Sequence, residues 1–111
     1  MGIRVFYGSE RGEAMMLVVV AYDVSTESEE GRKRLRRVAR VCENCGQRVQ
    51  NSVFECLVDA ARWVRFRAEL VGEIIQAEDS LRFYFLGNNW KGRVEHVGAK
   101  PTYDPQGTLI V

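Results

Sequence analysis

The stretch Leu17-Val-Val-Val-Ala-Tyr-Asp23-Val-Ser25 contains six uncharged residues followed by a single aspartate. Such a short, β-branched and nearly apolar run predicts a central strand, over about Met16–Tyr22, that is buried on both faces. The end of a strand presents a side chain on a rigid element, so we expect Asp23 at the rim of a sheet. Six basic residues follow between Arg32 and Arg40. A carboxylate beside such a segment favours a metal-assisted or phosphate-handling site over a structural turn.

The length and composition describe one ordinary globular domain. The chain has 111 residues, of which 46% are hydrophobic and 28% charged, and its net charge is +1. Any basic patch must therefore be local. No apolar run approaches the roughly 20 residues that span a bilayer, and the N-terminus lacks the apolar core of a signal peptide, so we expect a cytoplasmic protein without a membrane anchor. Residues 1–15 are predicted to be a loose leader, and residues 16–111 a single domain.

Periodicity predicts two helices and further strands after the first one. A helix over Glu29–Asn44 would begin at the capping-box spacing of Thr26 and Glu29 and end at Gly46. A long strand is predicted over 47–58, a helix over 60–75 capped by Asp59, a strand over 81–86 and an edge strand over 93–97. The first strand and the strand over 81–86 are expected to be the central pair. Element order alone leaves open whether the second helix follows one long strand, or follows two shorter ones as in a ferredoxin-like domain.

The first predicted helix has one apolar and one basic side. At about 100° per residue, the apolar arc includes Val38, Cys42 and Cys45, and the opposite arc is formed by Arg32, Lys33, Arg36, Arg37 and Arg40. Arg34 lies at the margin of the apolar arc, so it is expected to point sideways toward the sheet edge.

The spacing Cys42-x-x-Cys45 is compatible with half of a zinc site or with a redox motif. A complete zinc site would also need Cys56 and His96, at spacings that match no common zinc module. Packing of Cys42 and Cys45 on the apolar side of the helix, in the reduced state, is the better interpretation.

Three segments together resemble the small CRISPR adaptation proteins of the Cas-two family. They are the first strand with its Tyr22-Asp23 pair, the basic helix, and Gly46-Gln-Arg-Val-Gln-Asn-Ser-Val-Phe-Glu55. The segments over 86–98 and 104–111 resemble the subtype I-C branch. The resemblance covers about Met16 to Val111.

This resemblance implies a ferredoxin-like α+β fold, with an antiparallel sheet and two helices on one face. It also implies a homodimer whose sheets pack face to face, with the C-terminal strand, including 109–111, exchanged onto the partner. Asp23 of each protomer would then face its counterpart across the two-fold axis.

The family includes proteins described as Mg²⁺-dependent endonucleases on RNA or DNA, and others described as non-catalytic scaffolds of a spacer-capturing integrase complex. For a nuclease, the resemblance implies one Mg²⁺ shared by the two Asp23 carboxylates. Nucleic acid would be held by Arg48 and by one or both of Arg34 and Arg37, with a hydrogen bond from Ser25 or Ser52. Phe54 would pack against the substrate or shape the site, and Tyr22 and Ser25 would support it.

Other functions stay open at this point. As a scaffold, the dimer would bind duplex DNA along its basic helices and act in spacer acquisition with the Cas-one integrase. Asp23 could instead cap a turn, and the basic helix could be a solvated face partly neutralised by nearby glutamates. A ferredoxin-like regulatory module for a small molecule is a third class, which the concentrated arginines and the lack of a glycine-rich phosphate loop argue against.

Overall fold

A computed structural model describes residues 14–98. These residues form β1 (Met16–Asp23), α1 (Glu29–Cys45), β2 (Gly46–Gln50), β3 (Val53–Val58), α2 (Ala60–Glu73) and β4 (Ser80–Gly87), followed by a short 3-10 helix over Trp90–Arg93. The strands form one antiparallel sheet in the order β2-β3-β1-β4. The predicted ferredoxin-like α+β fold is thus confirmed, and of the two element orders the ferredoxin-like one is correct.

The single long strand predicted over 47–58 is wrong, because the chain turns back within it. β2 and β3 form a hairpin in which Gln50 pairs with Val53, and the register shifts between Arg48 and Gln50. The intervening Asn51 and Ser52 both keep negative φ angles. Only Asn51 and Ser52 mark this turn, and without glycine or proline the alternating pattern continues through it.

The predicted placement of the last two strands is also wrong. β3 shares the centre of the sheet with β1, and β4 lies at an edge, where Phe85 is 56% exposed. No strand forms within residues 94–98. Gly87 has a positive φ of 74° and turns the chain, and the Arg93 guanidinium donates to the Leu86 carbonyl oxygen at 3.3 Å, so the segment folds back on the end of β4.

The helices match their predicted ranges closely, with one change at a cap. Asp59 caps α2 as expected, by accepting from the Arg62 backbone N–H at 2.7 Å. The residue that caps α1 is Ser28 rather than Thr26, and its hydroxyl accepts from the Gly31 N–H at 3.0 Å. Both helices cover the same face of the sheet.

Alternation along β1 separates a covered face of the sheet from an open one. Val18, Val20 and Tyr22 belong to the buried core, together with residues of both helices such as Val38 and Leu70. The intervening side chains must point to the opposite face. Asp23 therefore lies on the face that the helices do not cover.

Some predictions concern residues outside the described range. The proposed leader lies almost entirely in 1–13, and the exchanged strand at 109–111 falls beyond residue 98. Between residues 14 and 98, no helix is both long and apolar enough to cross a membrane. The domain division and the cytoplasmic location stay predictions.

Candidate active site at the end of the first strand

Asp23 is the last residue of β1, and its side chain is exposed. Its backbone pairs with Ser80 at the start of β4, so the sheet fixes its position. Among residues 14–98, no group forms a hydrogen bond or an ion pair with its carboxylate. Within this range the carboxylate therefore caps no turn, and its oxygens remain available as ligands.

A stack of three side chains lies beside this strand end, on the covered face of the sheet. The rings of Tyr22 and Phe54 stack with their centroids 6.2 Å apart, and the Arg48 guanidinium carbon lies 4.8 Å from the Phe54 centroid. The Tyr22 hydroxyl and the Arg48 guanidinium both donate to the carbonyl oxygen of Asn51. Burial raises the pKa of Tyr22, and the nearby Arg48 charge opposes this shift.

Phe54 is fully buried in this stack. It therefore presents no surface to a substrate, and its role in shaping the site stays a prediction. The guanidinium of Arg48 is held above it by a contact of the cation–π type and by Glu43 at 3.0 Å.

Arg34 points sideways toward the start of the edge strand β4, as expected, but its side chain is buried there. It is 5% exposed, and its Nε and Nη2 atoms donate to the two carboxylate oxygens of Asp79 at 2.8 and 3.2 Å. A second carboxylate, that of Glu78, accepts from Nη2 at 3.1 Å. With its donors committed to two carboxylates, Arg34 has a structural position here and is poorly placed to hold phosphate.

Arg37 and Arg48 present accessible guanidinium groups. Arg37 is 45% exposed and pairs with Glu73 of α2 at 2.8 Å, whereas Arg48 is 33% exposed and pairs with Glu43. Ion pairs at such exposure are weak, so a phosphate group can replace the carboxylate at little cost. Arg48 is the one of the two that belongs to the stack beside β1.

The two candidate serines lie on opposite sides of the strand end. Ser52, in the β2–β3 turn, accepts from the Tyr22 backbone N–H through its carbonyl oxygen at 3.1 Å. Ser25 follows β1, and its backbone N–H donates to Asp79 at 3.0 Å. Asp23 is thus flanked by the β2–β3 turn on one side and by the segment that contains Asp79, before β4, on the other. Arg37 lies apart from these residues, on α1.

Asp79 was not among the predicted site residues, yet it is the most heavily bonded side chain near the site. Its side chain is fully buried, and it accepts further from the Ile75 backbone N–H at 2.9 Å. Mainly because Arg34 donates to it, with help from two backbone N–H groups, the pKa of Asp79 is lowered from 3.8 to about 2. The position of Arg34 at the margin of an apolar arc was the one signal that a buried acidic partner existed.

The three cysteines are part of the hydrophobic core. Cys42 and Cys56 are buried and Cys45 packs against the same cluster, which confirms the predicted apolar packing. Burial raises the pKa of Cys42 to about 12. Within residues 14–98, no group of three or more histidine, cysteine, aspartate or glutamate side chains is arranged to hold a metal ion.

A metal at Asp23 would therefore need ligands from outside this set. The exposed carboxylate is a hard oxygen donor, and Mg²⁺ is commonly held by one or two protein carboxylates together with waters. One chain supplies a single such group at this site, so the residues fit the ion when two copies bring their Asp23 side chains together.

Comparisons with known proteins add independent information. A family model described as CRISPR-associated protein Cas2 matches residues 16–94. The chain is 62% identical over 96 residues to the CRISPR-associated endoribonuclease Cas2 of Chlorobaculum tepidum, in an alignment that covers 86% of this chain and 100% of that protein. It is 56% identical over 95 residues to the CRISPR-associated endonuclease Cas2 of Halalkalibacterium halodurans, covering 86% and 99% of the two chains.

Solved structures agree with these matches. The crystal structure of Streptococcus pyogenes Cas2 at pH 6.5 superposes with a TM-score of 0.65 at 55% identity, covering 75% of this chain and 100% of that one. A hypothetical protein from Thermus thermophilus, TT1823, also gives a TM-score of 0.65, at 31% identity and with 79% and 96% of the chains covered.

Proposed function

Since this chain belongs to the CRISPR-associated Cas2 family, we propose that it is a Mg²⁺-dependent endonuclease that acts as a homodimer. The observation that carries this proposal is the Asp23 carboxylate, which is exposed at the end of a rigid strand and has no bonding partner in residues 14–98. The relatives named above are called endoribonuclease and endonuclease. RNA and duplex DNA are therefore the two substrate classes to test.

The open face of the sheet supports the dimer. On this face Asp23 follows Val19 and Ala21, with Val53 as the cross-strand neighbour of Ala21. All three apolar side chains are only half-buried in the single chain. An isologous interface through this face would bury them and bring the two Asp23 carboxylates together at the two-fold axis. The edge of β4 would accept the partner's C-terminal strand.

The two carboxylates would hold one Mg²⁺ between them. When bound, the ion would polarise the phosphodiester and lower the pKa of an attacking water. Arg48, on the helix side of the sheet, and Arg37, in its exposed ion pair on α1, would hold phosphates farther along the nucleic acid than the one that is cut. Tyr22 and Phe54, which stack beneath the Arg48 guanidinium on the core side, would keep it in place. Arg34 would support the site without contacting the substrate.

The test is cleavage of labelled single-stranded RNA and duplex DNA with Mg²⁺ or EDTA. Wild type is compared with Asp23→Ala and with Glu69→Gln, a matched control that removes an exposed carboxylate from α2. We expect metal-dependent cutting by wild type and the control, and its loss in Asp23→Ala with dimerisation retained. Equal cutting by all three proteins would contradict the proposal and indicate a contaminating nuclease.

A second function, a non-catalytic DNA-binding scaffold for the Cas-one integrase, is favoured by the basic side of α1. Arg32, Lys33, Arg36 and Arg40 are all exposed, and a dimer would present two such helices to a duplex. Each phosphate contact removed by an arginine-to-alanine change is expected to lower the slope of log K against log salt by about 0.9. Salt-dependent duplex binding without cleavage, unchanged in Asp23→Ala, would favour this function over the nuclease.

A further inference from the structure

The buried Asp79 carboxylate is saturated with hydrogen bonds. Oδ2 accepts from Arg34 Nε at 2.8 Å and from the Ile75 N–H at 2.9 Å, and Oδ1 accepts from Arg34 Nη2 at 3.2 Å and from the Ser25 N–H at 3.0 Å. A carboxylate has about four acceptor sites. All of them are used, and none is left for a ligand.

These four bonds join three separate parts of the chain around Asp23. Ser25 lies two residues after Asp23, Arg34 is in α1, and Ile75 follows α2. Asp79 itself directly precedes Ser80, whose backbone pairs with Asp23. The backbone is therefore fixed both just beyond Asp23 and directly opposite it.

Gly31 of α1 lies against the backbone of Ser25, on the side opposite to Asp79. A Cβ atom added to Gly31 would lie 2.0 Å from the carbonyl oxygen of Ser25, which is far inside any real contact. Only glycine lets α1 approach the loop this closely. Ser25 is thus held at its N–H by Asp79 and at its carbonyl group by the approach of α1.

We propose that Arg34 and Asp79 are positioning residues, which fix the backbone just beyond Asp23 and directly opposite it so that the two carboxylates of a dimer meet at the spacing a divalent cation requires. This inference rests on the proposed function, because it gives the pair a purpose only if Asp23 binds a cation. Both side chains are buried away from substrate and metal, since Arg34 is 5% exposed and the Asp79 side chain is fully buried.

A purely structural ion pair would behave differently in one measurable respect. Loss of stability lowers the fraction of active protein and leaves the cation affinity of the folded fraction unchanged. Loss of positioning weakens cation binding in protein that is fully folded. Groups that orient metal ligands from behind typically change metal affinity by about 10–100-fold when removed.

The experiment compares Asp79→Asn and Gly31→Ala with Asp59→Ala in the full-length dimer. Asp79→Asn removes the negative charge from the Arg34–Asp79 pair. Gly31→Ala displaces the backbone at Ser25 and leaves both side chains of the pair unchanged. Asp59→Ala is the stability control, since it removes the cap of α2 away from the site. Mn²⁺ binding is measured by electron paramagnetic resonance, and the Mg²⁺ concentration for half-maximal cleavage is measured in parallel, at a temperature where circular dichroism shows every variant folded.

We expect Asp79→Asn and Gly31→Ala to bind Mn²⁺ about tenfold more weakly or worse, with a matching rise in the Mg²⁺ requirement. The KM for the oligonucleotide should stay the same, and Asp59→Ala should match wild type in both measurements. If Asp79→Asn does not fold, Gly31→Ala and the charge-conserving Arg34→Lys provide the same comparison.

Unchanged cation affinity in the folded variants would overturn the positioning role alone. Asp23→Ala is measured in the same way, and Mn²⁺ binding by this variant that equals wild type would overturn the proposed function as well. The two failures are therefore distinguishable by the Asp23→Ala measurement.

Discussion

Asp23 and Asp79 lie on neighbouring strand ends and have opposite surroundings. Asp23 ends β1 with an exposed carboxylate that has no bonding partner in residues 14–98. Asp79 immediately precedes β4, is buried, and accepts four hydrogen bonds. The Asp79 carboxylate is used entirely for hydrogen bonds within the protein, whereas the Asp23 carboxylate stays exposed at the surface. Ligand-binding capacity follows from what the protein leaves unsatisfied, and not from the presence of an acidic residue.

The largest expected effect separates the two aspartates by stability. Asp79→Ala leaves the Arg34 guanidinium buried without its main partner, so we expect the free energy of unfolding to fall by about 3–5 kcal/mol. Asp23→Ala removes an exposed group without a partner and should change it by less than about 0.5 kcal/mol. Urea denaturation at one fixed protein concentration measures both. Similar losses in the two variants would contradict the contrast.

The next effect concerns Gly31, which lets α1 approach the backbone at Ser25. Gly31→Ala places a methyl group against the Ser25 carbonyl oxygen and should cost about 1–3 kcal/mol through the backbone shift it forces. Gly72→Ala in α2 is the matched control, because nothing lies within 4 Å of the added atom. Its better helix propensity should stabilise the protein by up to about 1 kcal/mol. Thermal unfolding of both variants gives the comparison, and a neutral Gly31→Ala would show that the loop can yield.

Acid should weaken the contribution of Asp79 progressively. The pKa of Asp79 is held at about 2, below its ordinary value of 3.8, chiefly by Arg34. The folded protein therefore binds this proton less readily than the unfolded chain does, so the contribution is complete above about pH 4 and fades as the pH falls toward 2. Unfolding free energies of wild type and Asp79→Asn should converge over that interval. A constant difference down to about pH 2.5 would mean that the carboxylate charge contributes nothing.

The smallest effect is expected at the exposed pair between α1 and α2. Glu73→Gln breaks the ion pair with Arg37, in which the Arg37 side chain is 45% exposed and the Glu73 side chain 29%. The free energy of unfolding should fall by less than about 1 kcal/mol. Chemical denaturation of Glu73→Gln, measured together with the Asp79 variants, compares an exposed ion pair with a buried one. A loss as large as that of Asp79→Ala would mean that exposure does not decide the outcome.

The sequence predicted the elements whose periodicity is local. β1, both helices and the strand that became β4 were found within one or two residues, because an apolar run or a 3.6-residue stripe is written into consecutive positions. The hairpin at Asn51 and Ser52 was missed because that turn carries neither glycine nor proline. The edge position of β4 was missed because aromatic residues such as Tyr84 and Phe85 are exposed there in the single chain.

The site was only partly predictable for a different reason. The exposed position of Asp23 at the end of β1 was predicted from the apolar run before it. Arg34 was assigned to phosphate binding, whereas its partner Asp79 lies 45 residues away in the sequence. A contact over that separation leaves no local pattern that identifies the partner. Two aspartates at strand ends look alike in a sequence, and only the fold decides which one is buried.

The central claim is that two Asp23 carboxylates act jointly at one site. It is tested most directly by forming mixed dimers of wild type and Asp23→Ala, through joint unfolding and refolding over a series of ratios, and by measuring Mg²⁺-dependent cleavage. If both carboxylates are required, mixed dimers are inactive and activity falls as the square of the wild-type fraction. Activity that falls in simple proportion to that fraction would show that each Asp23 works alone, and would contradict the account.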